Sequence, residues 1–211
     1  MILTDKTILE QIEKGEIVVS PFNISNVGTN SIDLTLDPKM LVYKNASNYL
    51  LDIVDGFFNV EHIDERTAKY SYKKDDECNF IDCRSENETE EIIIPSEGFV
   101  LEPGQLYIAS TNEYTETHNA VPVIEGKSSL GRLGLSIHIT AGFGDVGFCG
   151  TWTLELVATV PLKIYPNMKI CQISYHSISD KPLIKYDEKE SAKYSGQIGA
   201  TASLMHENFK K

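Results

Sequence analysis

The sequence predicts a mainly β protein, either a sandwich, a barrel or a jelly-roll-like fold. Short apolar runs follow one another at near-regular spacing, among them SIHIT, WTLELVATV, LKIYP and KICQISYH. Glycine and proline mark the gaps between these runs, and few segments have the periodicity of a helix. Closely spaced strands separated by turn residues are typical of these all-β folds.

One short helix is predicted at the N-terminus. Thr4 or Asp5 can cap it, and Gly15 follows it as a stop signal. Its apolar face consists of Ile8, Leu9 and Ile12. The spacing of these three residues predicts that this face packs on the core.

Two further stretches predict the first strands. In SIDLTLD apolar and polar residues alternate, which predicts a strand with Ile32, Leu34 and Leu36 on one face. Before it, EIVVSPF also reads as extended chain. Further along, IIIPSEGFVLEPGQLYIAS predicts two strands joined by a turn at Pro103-Gly104.

Residues from about 44 to 92 differ from the rest in composition. They are rich in Asp, Glu, Lys and Asn, and the run DECNFIDCRSENETEE is strongly acidic. This composition predicts a solvated insertion, with a hairpin, in a single domain that spans residues 1–211. A polar tail that contains glycine covers residues from about 187 to 211.

Charge and hydropathy exclude several classes of function. The chain has 31 acidic against 19 basic residues and a net charge of −12, which argues against nucleic-acid binding. The sequence contains no run of 18 apolar residues, so no membrane helix is predicted. The start MILTDKTILEQIEKG lacks the apolar core of a signal peptide. We therefore expect a cytoplasmic protein without a membrane partner.

The cysteines and histidines lack the spacing of a zinc site. Cys78, Cys83, Cys149 and Cys171 form no CxxC pair, and in a cytosolic chain we expect reduced thiols. A disulfide between Cys78 and Cys83 under oxidation is the alternative. The five histidines are scattered, and the signatures HExxH and H-x-E…P-C-x-x-C are missing. No tightly held catalytic zinc is expected.

The stretch EGKSSLGRLGL concentrates hydrogen-bond donors between apolar runs. Its backbone N–H groups could form a nest for phosphate oxygens, and Arg132 could bind two oxygens at once. A structural turn is the plainer interpretation, because a serine-rich turn with one Lys and one Arg is common. It is not a Walker A motif.

Two carboxylates stand out after this stretch. Asp145 lies among glycines in TAGFGDVGFCG, where it could cap a turn or accept a hydrogen bond from a sugar hydroxyl. Glu155 lies within the apolar strand WTLELVATV, on the face of Thr153 and Val157. It is either a solvated side chain on an open face or a buried carboxyl suited to general acid–base catalysis.

In this order, EGKSSLGRLGL, TAGFGDVGFCGTWTLELV, PNMKICQIS and KYSGQIGATAS resemble dCTP deaminase of the dUTPase-like superfamily. The openings MILTDKTILEQIEKGEIVVSPF and GTNSIDLTLD are similar to the start of that family as well. The resemblance covers most of the chain outside residues 44–92. It implies a distorted β-barrel or jelly-roll-like homotrimer with active sites between subunits, and a C-terminal tail that folds over the nucleotide.

The resemblance also implies the site residues. Glu155 is implied as the general acid and base. Ser128, Arg132 and the backbone carbonyl of Ala141 are implied to assist it, and Ser128 and that carbonyl would do so by positioning the water. The implied nucleotide contacts are Lys127, Ser128, Ser129, Leu130, Gly131, Arg132, Asp145, Thr153, Leu154, Glu155, Gln172, Tyr186, Lys193 and Gln197. The implied ligands are dCTP as substrate, dTTP as feedback inhibitor, and Mg²⁺ on the triphosphate with no direct protein site.

Hydrolytic deamination of dCTP to dUTP and ammonia is the leading functional prediction. Glu155 argues against a plain dUTPase, whose strand is apolar at the matching place. A bifunctional enzyme that continues to dUMP and pyrophosphate is the alternative, because Gly142-Phe143 replaces the His-Arg pair of strictly deaminating members. A non-catalytic nucleotide-sensing trimer is a further alternative. The chain departs from the family pattern at Asn167 and Cys171, where glycine is common.

Overall fold

The computed structural model describes residues 1–44, 58–64, 67–72 and 81–210. Its helices are α1 (Asp5–Glu13) and the single turn α2 (Ser128–Gly131). The first strands are β1 (Ile17–Ser20), β2 (Ile32–Thr35), β3 (Lys39–Tyr43), β4 (Phe58–Asp64), β5 (Thr67–Tyr72), β6 (Thr89–Ile93) and β7 (Phe99–Leu101). The later strands are β8 (Tyr107–Thr117), β9 (Ala120–Gly126), β10 (Leu135–Ser136), β11 (Cys149–Ala158), β12 (Leu162–Ile164) and β13 (Lys169–Ser177). The predicted mainly β class with a short N-terminal helix is confirmed.

The chain divides into two compact units. The first comprises Met1–Leu41 and Glu91–Ala202, and the second comprises Val42–Glu90 and Ser203–Lys211. One sheet has the strand order β10-β11-β8-β3-β6, with β1 also paired to β8, and a second has the order β2-β13-β9. Strands β12 and β7 form a separate antiparallel pair, as do β4 and β5.

The second unit contains part of the acidic segment. Its strands β4 and β5 pair antiparallel from Phe58↔Tyr72 to Asp64↔Thr67. The two chain segments of this unit are joined by a hydrogen bond, in which the backbone N–H of Ser203 donates to the Tyr43 hydroxyl at 3.0 Å. Organisation as a single domain over residues 1–211 stays a prediction.

The N-terminal helix and strand form as predicted, but Thr4, at the N-cap, makes no capping hydrogen bond through its side chain. Helix α1 follows the extended residue Thr4 and ends before Gly15, whose φ of +71° is favourable only for glycine. Ile8 is fully buried on its apolar face. In β2 the alternation is confirmed as well, because Ile32, Leu34 and Leu36 are buried while the residues between them are half-buried.

Two strand predictions were wrong in detail. SIHIT forms a strand only at Ser136, because the chain leaves the sheet after β10 and the N–H of Ile139 donates to a side chain instead of a neighbouring strand. The stretch IIIPSEGFVLEPGQLYIAS takes part in three strands, β6, β7 and β8, instead of two. The predicted turn within it is confirmed at Gly104, where φ is +76°.

The cysteines and the departures from the family pattern have clear positions. Cys83, Cys149 and Cys171 are free thiols, whereas Cys78 lies outside the described residues. Cys171 is fully buried on β13, and this burial raises the pKa of its thiol well above the ordinary range. Asn167 adopts the left-handed conformation, with φ of 60°, that we expected asparagine to tolerate.

Among the described helices, none is long and apolar enough to span a membrane.

Candidate active site

The segment Lys127–Arg132, here called the donor turn, follows directly from β9. Lys127 is extended, and its carbonyl accepts hydrogen bonds from Leu130 N at 2.9 Å and Gly131 N at 3.0 Å, which closes the single turn of α2. The side chains of Ser128, Ser129 and Arg132 are exposed. In the described part of the chain none of these three makes a side-chain hydrogen bond or ion pair. The turn therefore offers unused donors to an anion.

Lys127 differs from the other members of the donor turn. Its ammonium group donates a hydrogen bond to Asp33 Oδ1 on β2, and Lys169 Nζ lies 3.1 Å from Asp33 Oδ2. Burial alone would raise the pKa of Asp33, but the hydrogen bonds and charges of the two lysines together outweigh it and lower that pKa below its ordinary value of 3.8. One carboxylate is thus shared by two ammonium groups, so the charge of Lys127 is only partly balanced by Asp33.

Glu155 lies near the centre of β11, on the half-buried face predicted for it. Its neighbours Leu154 and Leu156 point to the core and are 1% and 0% exposed. The backbone N–H of Ile139 donates to Glu155 Oε2 at 3.2 Å, after the chain has left β10. One carboxylate oxygen is therefore oriented by the backbone, while Oε1 has no partner among the described residues.

The loop that carries Ala141 is fixed to β9. Ile124 N donates to the Gly142 carbonyl at 2.6 Å, and Gly144 N donates to the Pro122 carbonyl at 2.9 Å. A Cβ atom at Gly142 would lie 2.5 Å from the Ile124 carbonyl oxygen and 2.8 Å from His138 Nε2. A histidine at position 142, as in the His-Arg pattern, would therefore require the loop to move.

Asp145 lies in the next turn of the same loop. Its carbonyl accepts a hydrogen bond from Phe148 N at 3.1 Å, and Gly147, at a φ of +91°, is the third residue of that turn. The Asp145 carboxylate is exposed and caps no turn within the described residues. It is available to a ligand, as the sugar-contact prediction requires.

Residues 194–201, here called the tail segment, lie along the first half of β11. Thr151 N donates to the Gln197 carbonyl at 3.0 Å, and Gln197 Nε2 donates to the Thr151 carbonyl at 2.8 Å. Gly199 N donates to Thr151 Oγ1 at 2.8 Å, and Thr201 N to Thr153 Oγ1 at 3.3 Å. Gln197 Oε1 is buried without a hydrogen-bond partner in the described chain.

Tyr186 connects the tail to the loop of Asp145. Its N–H donates to the Val146 carbonyl at 2.9 Å, and its hydroxyl accepts from Tyr194 N at 3.2 Å. Its ring centroid lies 6.1 Å from that of Phe148. Lys193, one residue before the tail segment, is half-buried.

The predicted site residues thus form three groups. Gln172 joins the donor turn, because its Nε2 donates to the Gly126 carbonyl at 3.2 Å. Glu155 stands with Ile139, and Gln197 with Thr151 and Thr153 of β11. Among the described residues no hydrogen bond or ion pair joins Ser128, Ser129 or Arg132 to Glu155 or to the tail segment. The side chain of Leu154 faces the core, so only its backbone could contact a ligand.

Sequence reasoning missed Asp33, Lys169 and Thr151. Asp33 gave a signal, because it is a carboxylate in the otherwise apolar and Thr-containing strand SIDLTLD, as Glu155 is in WTLELVATV. Thr151 and Lys169 gave none, since their roles depend on partners 46 and 136 residues away. In the part of the chain that the structure describes, no three His, Cys, Asp or Glu side chains are grouped as a metal site.

The fold and this arrangement define a mainly β protein that has both a turn with exposed donors and a strand that carries a half-buried carboxylate. Residues 2–74 and 62–178 match the family model described as dCTP deaminase-like. The chain belongs to the dCTP deaminase-like family.

Several relatives match the chain over its whole length. It is 44% identical over 211 residues to a protein of Clostridium botulinum (strain Eklund 17B / Type B) named "dCTP deaminase, dUMP-forming", with 100% of each chain covered. Proteins with the same name from Cytophaga hutchinsonii and from Leptospira biflexa serovar Patoc are each 39% identical over 211 residues, covering 100% of this chain and 100% and 99% of their own lengths.

A solved structure shares the fold. The structure of 2'-deoxycytidine 5'-triphosphate deaminase from Agrobacterium tumefaciens matches with a TM-score of 0.55 and 20% identity. The match covers 84% of this chain and 48% of that one, so the chain spans about half the length of the Agrobacterium protein.

Proposed function

We propose that this protein deaminates dCTP and hydrolyses the product to dUMP and pyrophosphate. The observation that carries the proposal is the name "dCTP deaminase, dUMP-forming" on relatives that are 39–44% identical over the full length. It favours the bifunctional alternative over the leading prediction, in which the reaction stops at dUTP. The tight packing at Gly142 also supports this choice, since a histidine there, as in the His-Arg pattern, would require the loop to move.

Glu155 is proposed as the proton carrier of the deamination. Its carboxylate takes a proton from the attacking water as oxygen bonds to C4 of cytosine, and passes this proton to the ring nitrogen N3. It then transfers the proton of the new C4 hydroxyl to the exocyclic amino group, the bond between C4 and that amino group breaks, and ammonia leaves as the C4 carbonyl forms. The Ile139 N–H on Oε2 supports this role, because it orients the carboxylate and leaves Oε1 for the proton transfers.

The donor turn is proposed to bind the triphosphate. Arg132 forms charge-assisted hydrogen bonds to phosphate oxygens, and the hydroxyls of Ser128 and Ser129 add neutral ones. In the second step water attacks the α-phosphorus, the bond to the β-phosphate oxygen breaks, and pyrophosphate leaves. Ser128 is further proposed to position the deaminating water together with the Ala141 carbonyl.

Three other expectations stay proposals. Mg²⁺ is expected to arrive on the triphosphate, whose oxygens would supply most of its ligands, and dTTP is expected to compete with dCTP for the site. A homotrimer with active sites between subunits is proposed from the family resemblance, and in it the donors of the turn in one copy would meet Glu155 of the next. Asp145 and the tail segment would then complete the pocket around the sugar and base.

A product assay tests the proposed function. The purified protein is incubated with dCTP and Mg²⁺, and dCTP, dUTP, dUMP and pyrophosphate are resolved by ion-exchange chromatography over time. We expect dUMP and pyrophosphate to appear in equal amounts without a lag and without free dUTP. Accumulation of dUTP would favour the original prediction of a deaminase whose reaction ends at dUTP. Unchanged dCTP would favour the nucleotide-sensing trimer.

A further inference from the structure

Asp33 bridges two lysines on the half-buried face of the β2-β13-β9 sheet. One carboxylate oxygen accepts a hydrogen bond from Lys127, and the other lies 3.1 Å from Lys169 Nζ. The Asp33 side chain is 19% exposed and that of Lys127 is 25% exposed. Both oxygens of the carboxylate are therefore committed to cations. Water screens the pair with Lys127 less than a surface pair, whereas the Lys169 side chain is 44% exposed.

A surface ion pair of the same chain has more exposed side chains than the pair of Asp33 and Lys127. Lys39 and Glu91 form an ion pair at 3.3 Å whose side chains are 59% and 50% exposed. Such an exposed pair contributes little, because solvent screens it and both side chains lose freedom. Asp33 is shielded on a strand, so its position is defined by the sheet and not by the lysines.

Asp33 also lies directly opposite Gln172, which holds the backbone at the start of the donor turn. The strands β2 and β13 pair Asp33 with Gln172, and Gln172 in turn pairs with Glu125 of β9. Gln172 Nε2 donates to the Gly126 carbonyl, while its Oε1 accepts from Ser31 Oγ at 3.0 Å. The backbone of Gly126 and the side chain of Lys127 are thus both fixed immediately before Ser128.

We propose that Asp33 is a positioning residue, which holds Lys127 and thereby sets where the donor turn presents Ser128, Ser129 and Arg132 to the triphosphate. Asp33 itself makes no contact with the nucleotide. The role rests on the proposed function, because it concerns the same site. Without the carboxylate, the Lys127 side chain loses its anchor, and the turn that begins at this residue is held through backbone contacts, among them the Gly126 carbonyl with Gln172 and the pairing of Gly126 with Cys171.

Steady-state kinetics with dCTP test this role in the variant Asp33→Asn. We expect KM to rise about tenfold, because phosphate contacts are made in the ground state and the transition state alike, and kcat to fall by a smaller factor, because Ser128 of the same turn is proposed to position the reacting water. A purely structural role would lower the melting temperature and leave KM of the folded protein unchanged. Glu91→Gln is the matched control, since it also removes a carboxylate that pairs with a lysine, and its KM should remain parental.

Asp33→Glu keeps the charge and moves the carboxylate by one methylene. We expect a smaller rise in KM, about threefold, which is a partial rescue of Asp33→Asn. This variant also decides the question if Asp33→Asn does not fold. A parental KM in whichever of the two variants folds would overturn the proposal.

Two measurements separate this proposal from the proposed function. Acetylation of Lys127 by a succinimidyl ester, followed by mass spectrometry relative to Lys163, should be at least about threefold faster in Asp33→Asn because the ammonium group is released. Calorimetry with inorganic tripolyphosphate should show about tenfold weaker binding in the variant. If the parent converts no dCTP, the proposed function fails while these two results still decide the role of Asp33. Unchanged acetylation or unchanged tripolyphosphate affinity would overturn it.

Discussion

The donor turn and the tail segment satisfy their polar groups in opposite ways. In the turn, Ser128, Ser129 and Arg132 are exposed and have no side-chain partner among the described residues. In the tail segment, Gln197 and Gly199 are hydrogen-bonded to Thr151 of β11 through side-chain and backbone groups. One region belongs to the folded framework, and the other keeps its donors for something outside the chain.

The physical reason lies in the cost of burying polar groups. A polar group removed from water must find a partner within the protein, and the tail segment covers β11 by pairing most of its donors and acceptors, although Gln197 Oε1 has no partner among the described residues. Exposed donors are satisfied by water and can exchange that water for a ligand without loss. We therefore expect substitutions in the turn to weaken ligand binding, and substitutions under the tail to lower stability.

The largest expected effect is at Glu155, beside the tail on β11. Glu155→Gln should lower the rate of ammonia release by at least about 10²-fold while the affinity for dCTP stays within about threefold, because the amide keeps the shape but carries no proton. Ammonia release and calorimetric binding measure the two quantities. Glu91→Gln is the control for loss of a carboxylate. Ammonia release at the parental rate from Glu155→Gln would refute the proposed mechanism.

Arg132→Ala should give the complementary result in the donor turn. We expect dCTP binding to weaken by about 10- to 100-fold, since a fork of charge-assisted hydrogen bonds is lost, and the melting temperature to stay unchanged. Lys163→Ala on β12 removes a cation elsewhere and controls for the change in net charge. If Arg132→Ala lowered stability as much as binding, the contrast between the two regions would be lost.

Gly150→Ala tests the contact between β11 and the tail segment. Gly150 has a φ of +145°, and a Cβ atom there would lie 2.9 Å from the Gln197 carbonyl oxygen. We expect the free energy of unfolding to fall by about 1–3 kcal/mol in chemical denaturation, and proteolysis of the tail to become faster. Gly28→Ala, at an exposed glycine with ordinary contacts of 3.5 Å, should change it by less than about 0.5 kcal/mol. Equal effects of the two variants would count against the structural role of the tail.

The smallest expected effect is the pH dependence that arises from Asp33. Because the pKa of Asp33 in the folded protein lies below its ordinary value of 3.8, its pairing with the lysines stabilises the fold above that pH and is lost as the pH falls through the lowered pKa. The difference in melting temperature between the parent and Asp33→Asn should therefore be constant near pH 6 and shrink below about pH 4. A melting-temperature difference that grows on acidification would contradict the lowered pKa assigned to Asp33.

Much of the fold could be predicted from local patterns. The alternation in SIDLTLD gave β2, and the apolar run WTLELVATV gave β11 with Glu155 on the correct face. Both succeed because a strand places successive side chains on opposite faces, whatever its partners are. The strand prediction for SIHIT was wrong because the N–H of Ile139 donates to a carboxylate 16 residues away. No local pattern encodes that hydrogen bond.

The candidate site divides in the same manner. The mainly β class, the helix between Thr4 and Gly15, the donors of EGKSSLGRLGL and the resemblance to the deaminases could all be inferred from residue types and short spacings. The pairing of Lys127 with Asp33, the orientation of Glu155 by Ile139 and the position of Gln197 along Thr151 became visible only in the folded chain. These contacts join residues 94, 16 and 46 positions apart, and packing of whole strands, not local propensity, brings such residues together.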